Sequence, residues 1–257
     1  MPLRVGFDLD GTVADMYSAL HDEALKLFGE ERLRKAAHKT HKPQEAVRPV
    51  AGVKAGAEQD NSKPPSSPDD DPATTMAMSE LHLTAKQQMQ LWDHVKKINN
   101  FWTSLPELEP GIIARIAKAS VERRWEVIFL TTRPATAGEL VQMQSQRWLE
   151  AHGFQYPSVY VVQHSRGRIA DALQLDAFVD DRPENCLDIA VESKAKVLLI
   201  WHGNLADVPA GAKRLGVRPV TTISEAVGLL EQFDDIRQQT GIMRSIKRAF
   251  GKADPAI

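Results

Sequence analysis

The chain has 257 residues, 42% of them apolar and 26% charged, with a formal net charge of −2. That balance fits a globular protein with one large domain or a core plus an insertion, and it supplies no basic field for a nucleic-acid polymer. Cys186 is the only cysteine, which excludes an intrachain disulfide, and no apolar run reaches the ~18 residues of a membrane span. The first residues carry no basic-plus-apolar leader, so a cytoplasmic location is the expectation.

The first element is an apolar strand, Leu3-Arg4-Val5-Gly6-Phe7, running straight into Asp8-Leu9-Asp10-Gly11-Thr12. Side chains alternate along a strand, so continuing it would turn both carboxylates the same way. Gly11 lets the backbone break off there and approach a ligand. Two neighbouring carboxylates in a partly dry site repel by about 4 kcal/mol at an effective dielectric of ~20. A hard divalent cation such as Mg²⁺, bound through oxygen, offsets that repulsion. One Asp is then available as nucleophile and the other as acid or base. A solvated Asp-rich turn is the plainer reading of the same five residues.

Between Thr12 and Trp125 lie 112 residues, far more than a strand crossover requires. Residues 15–38 read as a helix, with Leu20, Ala24, Leu27 and Phe28 on one side. Residues 42–75 hold six of the fifteen prolines and the triplet Asp69-Asp70-Asp71 but no aromatic residue. That composition buries too little apolar surface to offset ordering entropy and predicts a disordered loop. A second helical region covers 79–104, through Met89, Leu91, Trp92, Val95 and Ile98, with Ser79 or Thr84 as its N-cap.

Five apolar segments read as strands, at 3–8, 125–131, 158–163, 177–180 and 196–201, with a shorter sixth near 217–222. Helical patterns lie between them, as at 136–152, where Leu140, Val141, Trp148 and Leu149 share a face before Gly153. Alternating strands and helices predict an α/β fold with a Rossmann-like parallel sheet covered on both faces. Ligands of such sheets bind beyond the carboxyl ends of the strands, where Asp8, Thr131, Asp180 and Asp181 stand. A helix at 224–240 follows, then a mildly basic tail at 241–257, either a frayed terminus or a contact with a membrane surface or partner.

Together, Asp8-Leu9-Asp10-Gly11-Thr12, the strand 125–130 ending in Thr131-Thr132-Arg133-Pro134, the helix opening Ser165-Arg166-Gly167-Arg168 and the strand ending in Asp180-Asp181 closely resemble the haloacid dehalogenase (HAD) superfamily of aspartate-nucleophile phosphohydrolases. The resemblance covers roughly residues 3–15 and 105–200. It implies the strand order 5-4-1-2-3, a catalytic core at 1–14 and 105–240, and a helical cap at 15–104. It also implies Asp8 as the residue that forms an aspartyl-phosphate and Asp10 as the acid and then the base. Mg²⁺ would be held by Asp8, the backbone carbonyl of Asp10 and Asp181, with Asp180 as the alternative ligand. Thr131, beside Thr132, would hydrogen-bond a phosphoryl oxygen. The superfamily usually places a lysine where this chain has Arg166, with Arg168 as the alternative. Arginine keeps the charge but offers a planar fork in place of a point donor.

Phe101-Trp102 before Pro110-Gly111, taken with Arg133-Pro134 and Arg182-Pro183, resemble the cytosolic and mitochondrial 5′-deoxyribonucleotidase branch. That branch implies a nucleoside monophosphate as the small phosphorylated substrate, with Phe101 and Trp102 against the base. Base stacking contributes about 1–3 kcal/mol; packing of the cap against the core is the competing role for both rings. Arg133 and Arg182 read either as substrate contacts or as structural ion pairs. His164 and His202 follow strands without a ligand partner at metal spacing. A phosphatase for another small metabolite, or a HAD-fold binding or scaffold protein with turnover lost, are the alternatives. Oligomeric state is not legible.

Overall fold

The computed structural model describes residues 2–31, 33, 81, 83–163 and 165–250. The loop expected at 42–75, the N-cap candidate Ser79 and His164 lie outside these residues. Six strands form one sheet: β1 (Arg4–Asp8), β2 (Glu126–Thr131), β3 (Ser158–Val161), β4 (Ala177–Asp180), β5 (Lys196–Ile200) and β6 (Arg218–Val220). All pairings are parallel, in the order β3-β2-β1-β4-β5-β6. The order 5-4-1-2-3 lies within that sheet, and β6 is added beside β5.

The helices are α1 (Met16–Phe28), α2 (Ala85–Val95), α3 (Ile112–Arg123), α4 (Val141–Ala151), α5 (Arg166–Ala172), α6 (Pro183–Glu192), α7 (Ala210–Arg214) and α8 (Ile223–Phe250). Strand alternation divides the apolar side chains between two cores. Val5, Phe7, Val127, Phe129, Leu198 and Ile200 face one, which α3, α4 and α8 cover and which continues into α1 and α2 through Leu20, Leu91 and Trp92. Leu130, Phe178, Val197 and Leu199 face the other, covered by α5, α6 and α7. Burial of each such side chain contributes about 1.5–3 kcal/mol, so the sheet is held from both sides.

Several expected boundaries move. Thr84 caps α2 in a reciprocal capping box with Gln87, so the helix starts at Ala85 and not at 79. Leu140 stands outside α4 and is 73% exposed, because the apolar face begins only at the helix itself. α8 continues to Phe250, past the expected end at 240, so the first part of the predicted tail is helix. Its start is fixed by Glu109, which accepts from the N–H groups of Ile223 and Ser224 and from the Ser224 hydroxyl. Among the described residues no helix is long and apolar enough to cross a membrane.

Strand register brings the acidic ends of the sheet together. Asp8 lies beside Leu130 of β2, and Phe7 beside Val179 of β4, so the carboxyl ends of the three central strands are level.

Candidate active site

Asp8 and Asp180 end adjacent strands, both buried, and the guanidinium of Arg166 binds them together. Its Nη1 donates to Asp8 Oδ1 and to Asp180 Oδ2, each at 2.6 Å. Among the described residues no hydrogen bond reaches the other oxygen, Asp8 Oδ2. Arg166 is aimed by its helix. Ser165 and the Gly167 N–H both bind the carboxylate of Asp188 on α6, at 2.9–3.0 and 2.8 Å. Gly167 is required at that junction, since a Cβ there would run into the Asp188 carbonyl and the Glu192 side chain. Asp180 also accepts from the Arg182 N–H at 2.9 Å and from Asn185 Nδ2 at 3.1 Å, which locks its rotamer. Asp181, just past β4, takes a longer bond from the Thr12 hydroxyl at 3.3 Å.

Carboxylate oxygens of Asp8, Asp180 and Asp181 lie within 4.8 Å of one another. Burial drives the Asp8 carboxyl well above the usual range; Arg166 opposes the rise, and Asp180 and Asp181 add to it. Burial, then Asp180, push Asp181 up to about 7. Burial works against the charge of Arg166 as well, yet Asp8 and Asp180 hold its pKa above the ordinary arginine value. Three carboxylates thus face one bridging cation, with Arg182 acting on Asp181 as a weaker opposing charge. A compact set of hard oxygen donors with surplus negative charge suits a divalent cation such as Mg²⁺. The Asp10 carboxylate is not a member of that set.

Asp10 has its own neighbours. Arg133 Nε lies 2.9 Å from both Asp10 oxygens, and the Thr131 hydroxyl donates to Oδ2 at 3.1 Å. Arg133 Nη2 is 2.8 Å from Oδ1, although it is not aligned to donate. Thr131 is fully buried and also accepts the Arg133 N–H at 3.2 Å. Arg133 therefore makes an ion pair inside the site, on the acid two residues after Asp8.

Other expected residues separate. Arg168 is exposed on the opposite side of α5, and its N–H donates to Ser165. Among the described residues, Arg166 is the one that donates to Asp8. Thr132 is half-buried next to Thr131 and makes no hydrogen bond to the cluster. Phe101 and Trp102 are 2% and 0% exposed, so neither ring offers a face to a ligand. They pack edge to face at 5.0 Å, and Trp102 Nε1 donates to the Pro134 carbonyl at 2.9 Å. The stacking role is corrected to core packing, because Trp92 and Arg133 occupy the space around the indole. Asp188, Asn185 and Ser145 also shape the site, although sequence reasoning does not single them out. The signal available for Asn185 is its place in the first turn of α6, five residues after the strand-end acid Asp180.

No family model matches the sequence, and no curated protein matches it. In overall shape the chain is similar to a haloacid dehalogenase-like family hydrolase from Xanthomonas campestris (14% identity, covering 93% of this chain and 98% of that one, TM-score 0.46). It is similar also to a haloacid dehalogenase-like family hydrolase from Streptococcus pneumoniae (15% identity, 89% and 98%, TM-score 0.48). A third similar structure is a HAD family hydrolase from Deinococcus radiodurans R1, which holds bound phosphate and sodium (14% identity, 90% and 96%, TM-score 0.46). At these identities the activity of this chain has to be argued from its own residues.

Proposed function

We propose that the chain is a HAD-type phosphomonoester hydrolase, dependent on Mg²⁺, with Asp8 as its nucleophile. The observation that carries this reading is the meeting of Asp8, Asp180 and Asp181 at the carboxyl ends of central strands, with Arg166 on one oxygen of Asp8 and the other left for attack. Asp8, Asp180 and Asp181 would hold the cation, with the backbone carbonyl of Asp10 as a further donor. Once bound, Mg²⁺ offsets the charge on the phosphoryl oxygens.

Asp8 Oδ2 attacks phosphorus, and the bond from phosphorus to the ester oxygen breaks with its electron pair on that oxygen. Asp10, protonated at this stage, delivers its proton to that oxygen, so that the leaving group departs as the alcohol. A water then attacks the aspartyl-phosphate and gives its proton to Asp10, and inorganic phosphate leaves with Asp8 regenerated. The Arg166 guanidinium, which donates to Asp8 Oδ1, would contact a phosphoryl oxygen there, and the Thr131 hydroxyl, which donates to Asp10 Oδ2, would keep Asp10 turned toward the site. Residues 15–104 would serve as a cap, 1–14 with 105–240 as the core, and 241–257 as a tail. The leaving group stays unspecified: with Phe101 and Trp102 buried, nothing supports a nucleobase contact, and the substrate is a small phosphomonoester.

The test is hydrolysis of a phosphomonoester panel with Mg²⁺ and with chelator, for the wild type and Asp8→Asn. Mg²⁺-dependent turnover lost in the variant supports the reading. Turnover that survives in Asp8→Asn removes Asp8 as nucleophile, and a wild type inert on the whole panel leaves a HAD-fold binding protein instead.

A further inference from the structure

We infer that Arg133 is a positioning residue, which holds the Asp10 carboxylate as the base for hydrolysis of the aspartyl-phosphate. The inference rests on the phosphomonoesterase reading above. A buried arginine is costly to desolvate and is seldom retained for stability alone, yet the Arg133 side chain is 0% exposed. Its guanidinium is held on several sides. Nε spans both oxygens of Asp10 at 2.9 Å, and Nη1 donates to Ser145 Oγ on α4 at 3.0 Å. The planar group lies 5.0 Å from the Trp102 ring centre and 5.8 Å from that of Trp148, a cation held between two aromatic faces. Trp102 and Trp148 are themselves fixed by donation to the carbonyls of Pro134 and Leu105.

Held by Asp10, Ser145 and two indole rings, the guanidinium opposes rotation of the Asp10 carboxylate about its last torsion. Asp10 keeps 9% of its side chain exposed, enough to meet a water. The water-activating step therefore depends most on this clamp: the O–H bond of water breaks toward Asp10 as the new bond to phosphorus forms and the bond to Asp8 breaks.

4-Nitrophenyl phosphate isolates that step, because 4-nitrophenolate departs without a proton. With Mg²⁺ present, Arg133→Lys keeps the charge and loses the fork and the stacking. Its kcat should fall about tenfold or more while kcat/KM, which ends at departure of the nitrophenolate, changes less than about threefold. Phosphoenzyme should accumulate, seen as a burst approaching one equivalent of nitrophenolate per enzyme. Ser145→Ala removes only the Nη1 partner and should show the same split at smaller size, in a variant with little risk to folding. If kcat and kcat/KM fall together with no burst in either variant, Arg133 is structural and the inference is overturned. A wild type that does not turn over the ester overturns the phosphomonoesterase reading itself, a different result from the first.

Discussion

Gly11 and Asp181 touch so closely that no side chain fits between them: a Cβ on Gly11 would fall within the Asp181 carboxylate. Gly11 also takes φ +82°, which L-residues rarely adopt. Both constraints come from one turn that returns to Ala14, whose carbonyl accepts the Gly11 N–H at 2.9 Å. Gly11→Ala should therefore displace Asp181 as well as strain the turn. The expected outcome is a loss of roughly 1–3 kcal/mol in chemical denaturation, with Mg²⁺ protection against unfolding weakened. Unchanged unfolding with intact Mg²⁺ protection would remove the steric link between turn and acid.

Asp181 gives the site a pH dependence with a defined sign. Its folded pKa is raised to about 7 from an ordinary 3.8, first by burial and then by Asp180. The folded chain thus keeps a proton that the unfolded chain releases across that window. Its stability contribution is full below the lower value and is lost as pH rises through the upper one. In chelator, Asp181→Asn should melt above the wild type at about pH 7.5, and the difference should shrink at pH 5 and close below about pH 4. A difference of equal size at both pH values would show that Asp181 does not titrate there.

Removal of Arg166 should unbalance the whole cluster. Arg166→Met leaves Asp8 and Asp180 buried without their shared donor, an arrangement that typically costs about 3–5 kcal/mol. Added Mg²⁺ should raise the melting temperature of this variant more than that of the wild type, and Arg166→Lys should fall between the two. Equal Mg²⁺ responses in all three proteins would separate Arg166 from the metal set.

Trp102 tests packing against recognition. Trp102→Phe loses the bond to Pro134 and part of a fully buried ring. A stability loss of about 1–3 kcal/mol is expected, with no change in preference between a nucleoside monophosphate and an aryl phosphate. Selective loss on the nucleotide would restore the base-stacking role.

The fold was legible because its signal is local and repeated. The strands are short apolar runs, and the three central ones end in Asp8, Thr131 and Asp180 at the carboxyl edge. Two residues apart on a helix means opposite sides, at ~100° per residue, so only one of Arg166 and Arg168 can reach the acids. Which one depends on the side of α5 that packs on α6 through Gly167, a tertiary fact. Asp180 and Asp181 each bring an oxygen into the same cluster, a proximity that their place along the chain does not reveal. Phe101 and Trp102 were misleading because aromatic composition is the same for a core and for a ligand face. The packing of Trp92 and Arg133 on Trp102 decides between them.

β1 is made first and yet sits in the middle of the sheet, between β2 and β4. During synthesis it has no neighbour until residue 126 emerges, and its second side stays open until residue 177. Closing so long a loop adds little in entropy, about 0.6 kcal/mol per doubling of its length, but contacts so distant in sequence slow folding. The apolar strand that carries Asp8 is thus exposed longest on the ribosome. For the nascent chain, the strand that ends in Asp8 is the segment most in need of protection from aggregation.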